Sequence, residues 1–386
     1  MKLREALIFL VFAGSVLEVY SQDPVAQPGE LVGQQRAITT AVPFIGITPD
    51  ARHAALGEAG VATSADANAA YWNAGKLVFI DYDYGGSLSY TPWLGKIVND
   101  MWISSLTGFY RINREQVVAA SVKYFDLGEI SFRGRANEPL GDFNPKEAAF
   151  DATYSRKLTE NFAIGISGRY IFSNLTGAFT GPDAQAGNSV AADIGVYYQK
   201  LLQGGSRESM LSLGAQISNI GAKISYTDNN NKDFLPTNLR LGGAYLTQLD
   251  AFNTLTFILD LNKLMVPSPG SGRDTVSLLS GMFGSFSDAP GGFKEELQEF
   301  TISTAVEYWY RHTFSGRIGY FNEHKDKGNR KYLTMGVGFR KDNFGIDIAY
   351  IVPTNQREHP LAETIRFTLL YQIGSSSFEF EESVTD

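Results

Sequence analysis

The feature that most constrains this sequence is a two-residue alternation of apolar and polar side chains that recurs along most of the chain. Within Phe162–Phe172, apolar residues such as Ile164 and Ile166 share one face, while the other face carries small residues and Arg169. A period of two is the pattern of a β-strand. An apolar face turned outward and a polar face turned inward are expected of a barrel whose solvent is lipid.

Applied to the whole chain, the alternation predicts an all-β protein, a transmembrane antiparallel β-barrel of fourteen strands. An even number of strands closes the barrel without a free edge. Short links, which outer-membrane barrels place at the periplasm, alternate strictly with longer outer loops along the chain. The predicted strands lie near residues 82–93, 101–112, 116–126, 147–157, 161–173, 188–200, 208–219, 237–247, 253–262, 300–311, 314–322, 331–340, 344–353 and 362–373.

Composition agrees with the barrel and excludes several function classes. The chain has 39 Gly, 19 Tyr and 26 Phe, with 19% charged residues, which is typical of many turns and aromatic-rich strands. Its net charge of −8 argues against nucleic acid as a partner. Without cysteine there are no disulfides, thiol nucleophiles or Cys-ligated metals.

The sequence also lacks the usual marks of an enzyme. Its four histidines, His53, His312, His324 and His359, show no metal-ligand spacing, and no Gly-x-Ser-x-Gly elbow occurs. We therefore predict no catalytic activity, no metal and no cofactor. A hydrolase whose residues meet only in the folded protein is the alternative.

The chain begins with the pattern of an export signal. Lys2 and Arg4 precede the apolar stretch Ala6–Leu17, which is shorter than the roughly 20 residues that span a bilayer as a helix. We predict cleavage before Gln22. The expected organisation is a signal peptide at 1–21, an N-terminal segment and hatch at 22–80, the barrel at 81–374 and an acidic tail at 375–386.

A segment before the first strand does not alternate. Residues Pro49–Leu77 are rich in Ala, Gly and Asn, and they indicate short helical pieces broken at Gly57, Gly60 and Asn73. Fourteen strands enclose more volume than their own side chains fill. The segment is therefore predicted to be a plug inside the barrel.

The stretches "AVPFIGITPDARHAALGEAG" and "DANAAYWNAGKL", followed by the fourteen-strand pattern, resemble the PorV family, FadL-like barrels of the type IX secretion system of Bacteroidetes. FadL-type proteins usually have Asn-Pro-Ala where this chain has Asn73, Ala74 and Gly75, which weakens a fatty-acid function. The hatch motif comprises Ala51, Arg52, Gly57, Gly60, Asp66, Trp72, Asn73 and Gly75.

The resemblance implies a protein that binds the C-terminal domain of secreted cargo at the large translocon barrel and delivers it to the surface attachment complex with its sortase. It also implies an integral outer-membrane protein, in contact with outer-membrane lipids after Sec-type export. Its loops are expected outside the cell and both termini in the periplasm. The alternatives are a FadL-like transporter of hydrophobic small molecules and a purely structural barrel.

Charges on the inward faces are predicted to line the lumen. They form either a selective pore or a salt-bridge network that holds the plug to the wall, and their mixed signs favour pairing. Beside Lys123 and Asp151, the set comprises Arg169, Asp193, Arg240, Asp260, Glu307, Arg317, Arg340, Asp347 and Arg366.

The connection Lys263–Glu299 is the longest of the predicted outer loops and carries many apolar residues. They either contact a partner, the translocon or cargo, or fold as a lid over the barrel mouth. The candidates are Met265, Leu278, Leu279, Met282, Phe283, Phe286 and Phe293.

Overall fold

A computed structural model describes residues 37–95, 100–133, 137–175, 184–203, 207–227, 232–273, 275–354 and 364–374. The signal peptide, the acidic tail and His359 lie outside these ranges. The strands, in chain order, are β1 Tyr84–Pro92, β2 Trp102–Asn113, β3 Gln116–Asp126, β4 Ile130–Arg133, β5 Pro139–Phe143, β6 Lys146–Lys157, β7 Phe162–Asn174, β8 Gly187–Gln203, β9 Glu208–Gly221, β10 Asn238–Gln248, β11 Asn253–Leu264, β12 Phe300–Tyr310, β13 Phe314–Asn322, β14 Lys331–Lys341, β15 Phe344–Pro353 and β16 Ile365–Ile373.

Within the described residues, fourteen of these strands form a closed antiparallel barrel, as the alternation predicted. Each pairs with its neighbours in sequence, and β1 pairs with β16, Tyr84 opposite Ile373, to close it. Every predicted strand is confirmed, with boundaries within three residues. The hairpin β4–β5 stands outside the barrel in a connection that the alternation had predicted to be a loop. A four-residue strand is too short for a clear period of two.

The two faces of the wall differ as predicted. In β2, Leu106 exposes 57% of its surface, whereas its neighbours Ser105 and Thr107 expose 5% and 6%. The large apolar side chains therefore lie outside the barrel, where a lipid solvent makes their exposure favourable. In the short link after β12, Arg311 and His312 have φ angles of 49° and 51°, the left-handed pair that a tight hairpin turn uses.

Before β1, the chain runs through the barrel from the long-loop end to the short-turn end. The Ala41 N–H donates to the Phe234 carbonyl in the long β9–β10 connection at 3.0 Å. At the opposite end, the Asp83 N–H donates to the Ile373 carbonyl at 2.9 Å. The expected position of both termini concerns residues that the structure does not describe, but the described chain begins at the long-loop end.

We call residues 49–80 the plug. It contains α1 (Ala51–Ala54), α2 (Ala69–Trp72) and a 3-10 helix at Ala74–Phe79, after a 3-10 turn at Pro43–Gly46. The outer connection between β11 and β12 contains α3 (Leu278–Gly284) and α4 (Phe293–Gln298), and a 3-10 turn at Lys325–Lys327 follows β13. None of the helices in the described ranges is long and apolar enough to cross a membrane.

The plug is packed like a protein core. Leu56 and Val61 are fully buried and cluster with Ala244 and Ile258 of the wall. At the short-turn end, Leu77 and its neighbours pack against β2 and β3. Inward apolar positions of the wall thus have an apolar partner in the plug, which removes their surface from the lumen.

Candidate functional site

One buried carboxylate organises the plug. Asp50 precedes α1 and its Oδ1 accepts from the His53 N–H at 2.9 Å, an N-terminal cap. The same atom lies 2.8 Å from the His53 ring Nδ1, and Oδ2 accepts from Trp72 Nε1 at 2.8 Å. Asp50 therefore joins α1 to α2, although the sequence analysis did not single it out. An Asp just before a helical stretch was the available signal.

A glycine and a buried lysine hold the middle of the plug together. A Cβ atom at Gly60 would lie 2.3 Å from the Trp72 ring, so this position of the hatch motif has room only for glycine. The Lys76 Nζ donates to the Gly60 carbonyl at 2.6 Å and to Thr63 Oγ1 at 2.8 Å. Sequence reasoning missed Lys76, because a lysine is ordinarily exposed.

Asn73 and Gly75 form the corner where the plug meets β8 and β9. The Asn73 side chain accepts from the Gly75 N–H at 2.9 Å and donates to the Val61 carbonyl at 3.0 Å. The Ala74 N–H donates to Gln216 Oε1 at 2.8 Å. Proline has no N–H, so an Asn-Pro-Ala corner cannot make this bond, which gives the departure from the FadL pattern a structural reason.

Two other positions of the hatch motif bond to wall hydroxyl groups. The Ala51 N–H donates to Thr368 Oγ1 at 2.8 Å. The Gly57 N–H donates to Thr334 Oγ1 at 2.9 Å, and Gly57 has a φ of 63°, which favours glycine. Both threonines were missed, since an inward threonine looks like any small polar residue of the alternation.

A buried chain of charges joins the plug to the wall. Arg52 pairs with Asp66 at 2.9 Å and donates hydrogen bonds to both carboxylate oxygens of Glu307 at 3.0 and 2.8 Å. Glu307 of β12 also accepts from Arg317 of β13 at 2.7 Å. Arg317 continues to Asp347 of β15 at 2.7 Å, and Asp347 pairs with Arg340 of β14 at 2.5 Å.

Other lumen charges hold the plug backbone. Arg240 donates to the Tyr71 carbonyl of the plug at 3.2 Å, and Arg366 donates to the Thr48 carbonyl, just before the plug, at 2.8 Å. Lys123 donates to carbonyl groups just before the plug. In the opposite sense, Asp260 Oδ2 accepts from the N–H groups of residues 60 and 61 at 2.6 and 2.9 Å.

The remaining lumen charges pair within the wall. Arg169 of β7 pairs with Asp151 of β6 at 2.5 Å and with Asp193 of β8 at 3.1 Å. Beside them, a cavity of about 20 Å³ lies between Tyr71 and this cluster, room for a single water molecule. All eleven predicted lumen charges, with Lys123 and Asp151 included, thus lie inside the barrel and make ion pairs or hydrogen bonds, and their role as anchors stays a prediction.

Inward glycines let the plug backbone touch the wall. A Cβ atom at Gly165, Gly214 or Gly319 would lie 2.1 to 2.2 Å from a backbone atom of the plug. These residues belong to β7, β9 and β13, so the contacts are distributed around the barrel. The sequence analysis counted Gly165 among the small inward residues and did not single out the other two. Glycine, rather than alanine or serine, at an inward position was the signal.

The long outer loop is held in place by a buried charge cluster. Lys263 of β11 pairs with Glu296 at 3.2 Å and with Glu299. Lys327 pairs with Glu295 at 2.8 Å and with Glu299 at 2.9 Å. Burial alone would lower the pKa of Lys327, but the hydrogen bonds and ion pairs with these carboxylates outweigh burial and raise it. The loop that carries α4 is therefore fixed to the barrel mouth.

The apolar residues of this loop divide into two groups. Met265 and Met282 are buried at 2% and 3% exposure and pack beneath the loop, and Leu278 is half-buried. The others project from it: Leu279, Phe283, Phe286 and Phe293 expose 60%, 68%, 39% and 77% of their surface. Leu297, at 56%, was missed. Its spacing of four from Phe293 on α4 was the signal.

Within the described ranges, no three His, Cys, Asp or Glu side chains lie close enough together to hold a metal ion. The buried His53 is bonded instead to Asp50 and, at 3.0 Å, to Thr63.

These features define a class: an outer-membrane type of β-barrel whose lumen holds an N-terminal plug. The chain belongs to the PorV family, since the family model described as type IX secretion system protein PorV matches residues 31–271, more than half of the sequence.

Solved structures show low similarity. The Ralstonia pickettii toluene transporter TbuX is 12% identical, with a TM-score of 0.46 over 84% of this chain and 97% of its own. A Pseudomonas aeruginosa FadL homologue is also 12% identical, with a TM-score of 0.43 over 88% of this chain and 100% of its own. No curated protein sequence matches the chain significantly.

Proposed function

We propose that this protein is the outer-membrane component of a type IX secretion system that binds the C-terminal domain of cargo proteins at the translocon and delivers them to the surface attachment complex. The proposal rests on membership of the PorV family. The observation that carries it further is the long outer loop, where four aromatic or leucine side chains stay more than half exposed on α3 and α4. We call Leu279, Phe283, Phe293 and Leu297 the exposed loop set.

The exposed loop set is suited to bind a folded protein domain. Leu279 and Phe283 are four residues apart on α3, as are Phe293 and Leu297 on α4, so each pair shares one side of its helix. The buried cluster around Lys263 and Lys327 fixes the loop in advance, which lowers the entropy cost of binding. Large apolar side chains on an ordered surface are typical of interaction sites.

The double variant Phe283→Ser/Phe293→Ser is expected to lose binding of cargo proteins while the barrel still folds. A single interface hot spot contributes about 2 kcal/mol or more, which is about 30-fold in Kd. The measurement is mass spectrometry of proteins that co-purify with the tagged protein from gently solubilised outer membranes. Wild type should recover a very large barrel protein and secreted proteins that share a C-terminal domain.

The control is Phe252→Ser, which removes a phenylalanine that is 50% exposed at the opposite, short-turn end. Recovery with Phe252→Ser should equal wild type. Undiminished cargo recovery with the double variant would remove the exposed loop set from the proposal. Recovery of the barrel alone by the wild type would contradict the proposed function itself.

Orientation is tested by single cysteines, since the native chain contains none. Thr39 and Ser287 are exposed at the long-loop end, and Glu160 is exposed in a short link. With the long loops outside the cell, a membrane-impermeant maleimide should label Thr39→Cys and Ser287→Cys on intact cells. Glu160→Cys should react only after the outer membrane is permeabilised. The reverse pattern would place the short turns outside.

Transport of hydrophobic small molecules is the alternative function. A passage through this barrel requires the plug to leave its contacts with β7, β9, β12 and β13. The geometry of the plug therefore gives the alternative no specific support, and protein export remains the better proposal.

A further inference from the structure

A groove marks the outer surface of the barrel where β1 meets β16. It has a volume of about 530 Å³, within the usual range of ligand sites. Its walls come from β1, β2, β14, β15 and β16 and are almost entirely apolar. Leu88, Leu106, Phe344, Leu369 and Tyr371 line it, and each exposes between 43% and 66% of its surface.

The groove exists because side chains are absent from one outward row. Gly86 of β1 lies directly opposite Gly108 of β2 and opposite Tyr371 of β16. The next outward pair along the same ladder, Leu88 and Leu106, is large on both sides. Two facing glycines therefore leave a notch in the apolar belt, and Gly86 is part of the lining of the groove.

One end of the groove is charged. Lys341 lines it at the start of the short link 342–343 and is exposed. The rings of Phe344 and Tyr371 lie 5.0 Å apart at the same end. Aromatic residues commonly mark the interface between hydrocarbon and headgroups in outer-membrane barrels. The aromatic pair and the short link indicate that Lys341 lies near this interface, at the edge of the apolar groove.

We propose that this groove binds one glycerophospholipid from the leaflet at the short-turn end, with an acyl chain in the notch at Gly86 and Gly108 and the phosphate on Lys341. The apolar walls require a hydrocarbon occupant, and the single cation at the rim complements one phosphate. Bound there, the lipid covers the ladder that closes the barrel between β1 and β16. The site is separate from the plug and from the exposed loop set, so it does not depend on the proposed function.

The experiment is native mass spectrometry of the purified full-length protein after delipidation and titration with phosphatidylethanolamine. Wild type should retain one lipid per barrel. Lys341→Gln should bind about tenfold more weakly, through the loss of a charge-assisted bond. Gly108→Leu should lose the bound lipid, since a Cβ atom at Gly108 has its nearest neighbour at 3.8 Å, so the new side chain fills the notch without disturbing the backbone.

The controls are Gly168→Leu, an outward glycine with open space around it, and Lys200→Gln, another exposed lysine near a short link. Both should retain the lipid like wild type. Equal retention by all five proteins would overturn the proposal. Retention of lipopolysaccharide in preference to phospholipid would also overturn it. So would a wild type that binds no phospholipid, together with groove variants that lose a co-purifying barrel protein.

Discussion

The variant Gly165→Val is expected to break the seal between the plug and the barrel wall. A Cβ atom at this position would lie 2.2 Å from the Ala74 carbonyl carbon and 2.6 Å from the Gly75 nitrogen. The new atoms meet backbone, which cannot rotate away as a side chain can. Overpacking of this kind costs about 1–3 kcal/mol or more. Because β7 is hydrogen-bonded on both edges, the plug is the part that must move.

Ion conductance of the purified protein in planar bilayers measures this effect. Gly165→Val should conduct far more often than wild type, because a displaced plug leaves a water-filled lumen. The control is Gly168→Val, on the same strand but facing outward, where an added Cβ meets nothing within 4 Å. A Gly165→Val barrel as closed as the Gly168→Val barrel would show that this contact does not seal the lumen.

The variant Glu307→Gln is expected to lose about 3–5 kcal/mol of stability, the range for breaking a buried ion pair. Glu307 is 2% exposed and bonded to Arg52 of the plug and Arg317 of the wall. A neutral amide leaves these guanidinium groups with less negative charge in a site from which water is excluded. The chain of charges from Asp66 to Arg340 would be broken at its centre.

Urea unfolding in detergent micelles, followed by tryptophan fluorescence, gives the stability. Trp72 lies in the plug and Trp309 lies 5.3 Å from the Arg317 guanidinium, so the signal reports on both sides of the interface. The matched control is Glu160→Gln, an exposed carboxylate in a short link, which should change stability by less than about 0.5 kcal/mol. A loss with Glu307→Gln as small as that of the control would mean that the charges do not anchor the plug.

The barrel was predictable because lipid and the closed sheet impose one rule on every strand. Outward positions such as Ile164 and Ile166 must be apolar, and inward neighbours such as Arg169 need not be. The plug was predictable from volume, since a fourteen-strand barrel encloses more space than its own side chains fill, and the segment before the first strand lacks the alternation. The β4–β5 hairpin was not predicted, because its strands are too short to show a two-residue alternation.

The partners within the plug and wall were not predictable. Asp260 binds the Gly60 N–H across 200 residues of sequence, and Arg52 reaches Glu307 across 255. Which inward charge meets which plug atom depends on strand register and on how far the plug is turned in the lumen. No local sequence pattern reveals the strand register or the rotation of the plug. The sequence therefore identified the charged residues but not which of them pair.

The sequence by itself therefore determined the barrel, its strands and the presence of a plug, because alternation and volume act on each segment separately. The tertiary structure decided which glycines touch the plug, which apolar residues of the long loop are buried and which project, and where two outward glycines meet to form a groove. Met282 and Phe283 are adjacent and equally apolar, yet one is 3% and the other 68% exposed. Only the packing of the loop on the barrel mouth separates them, since burial depends on what lies opposite a side chain.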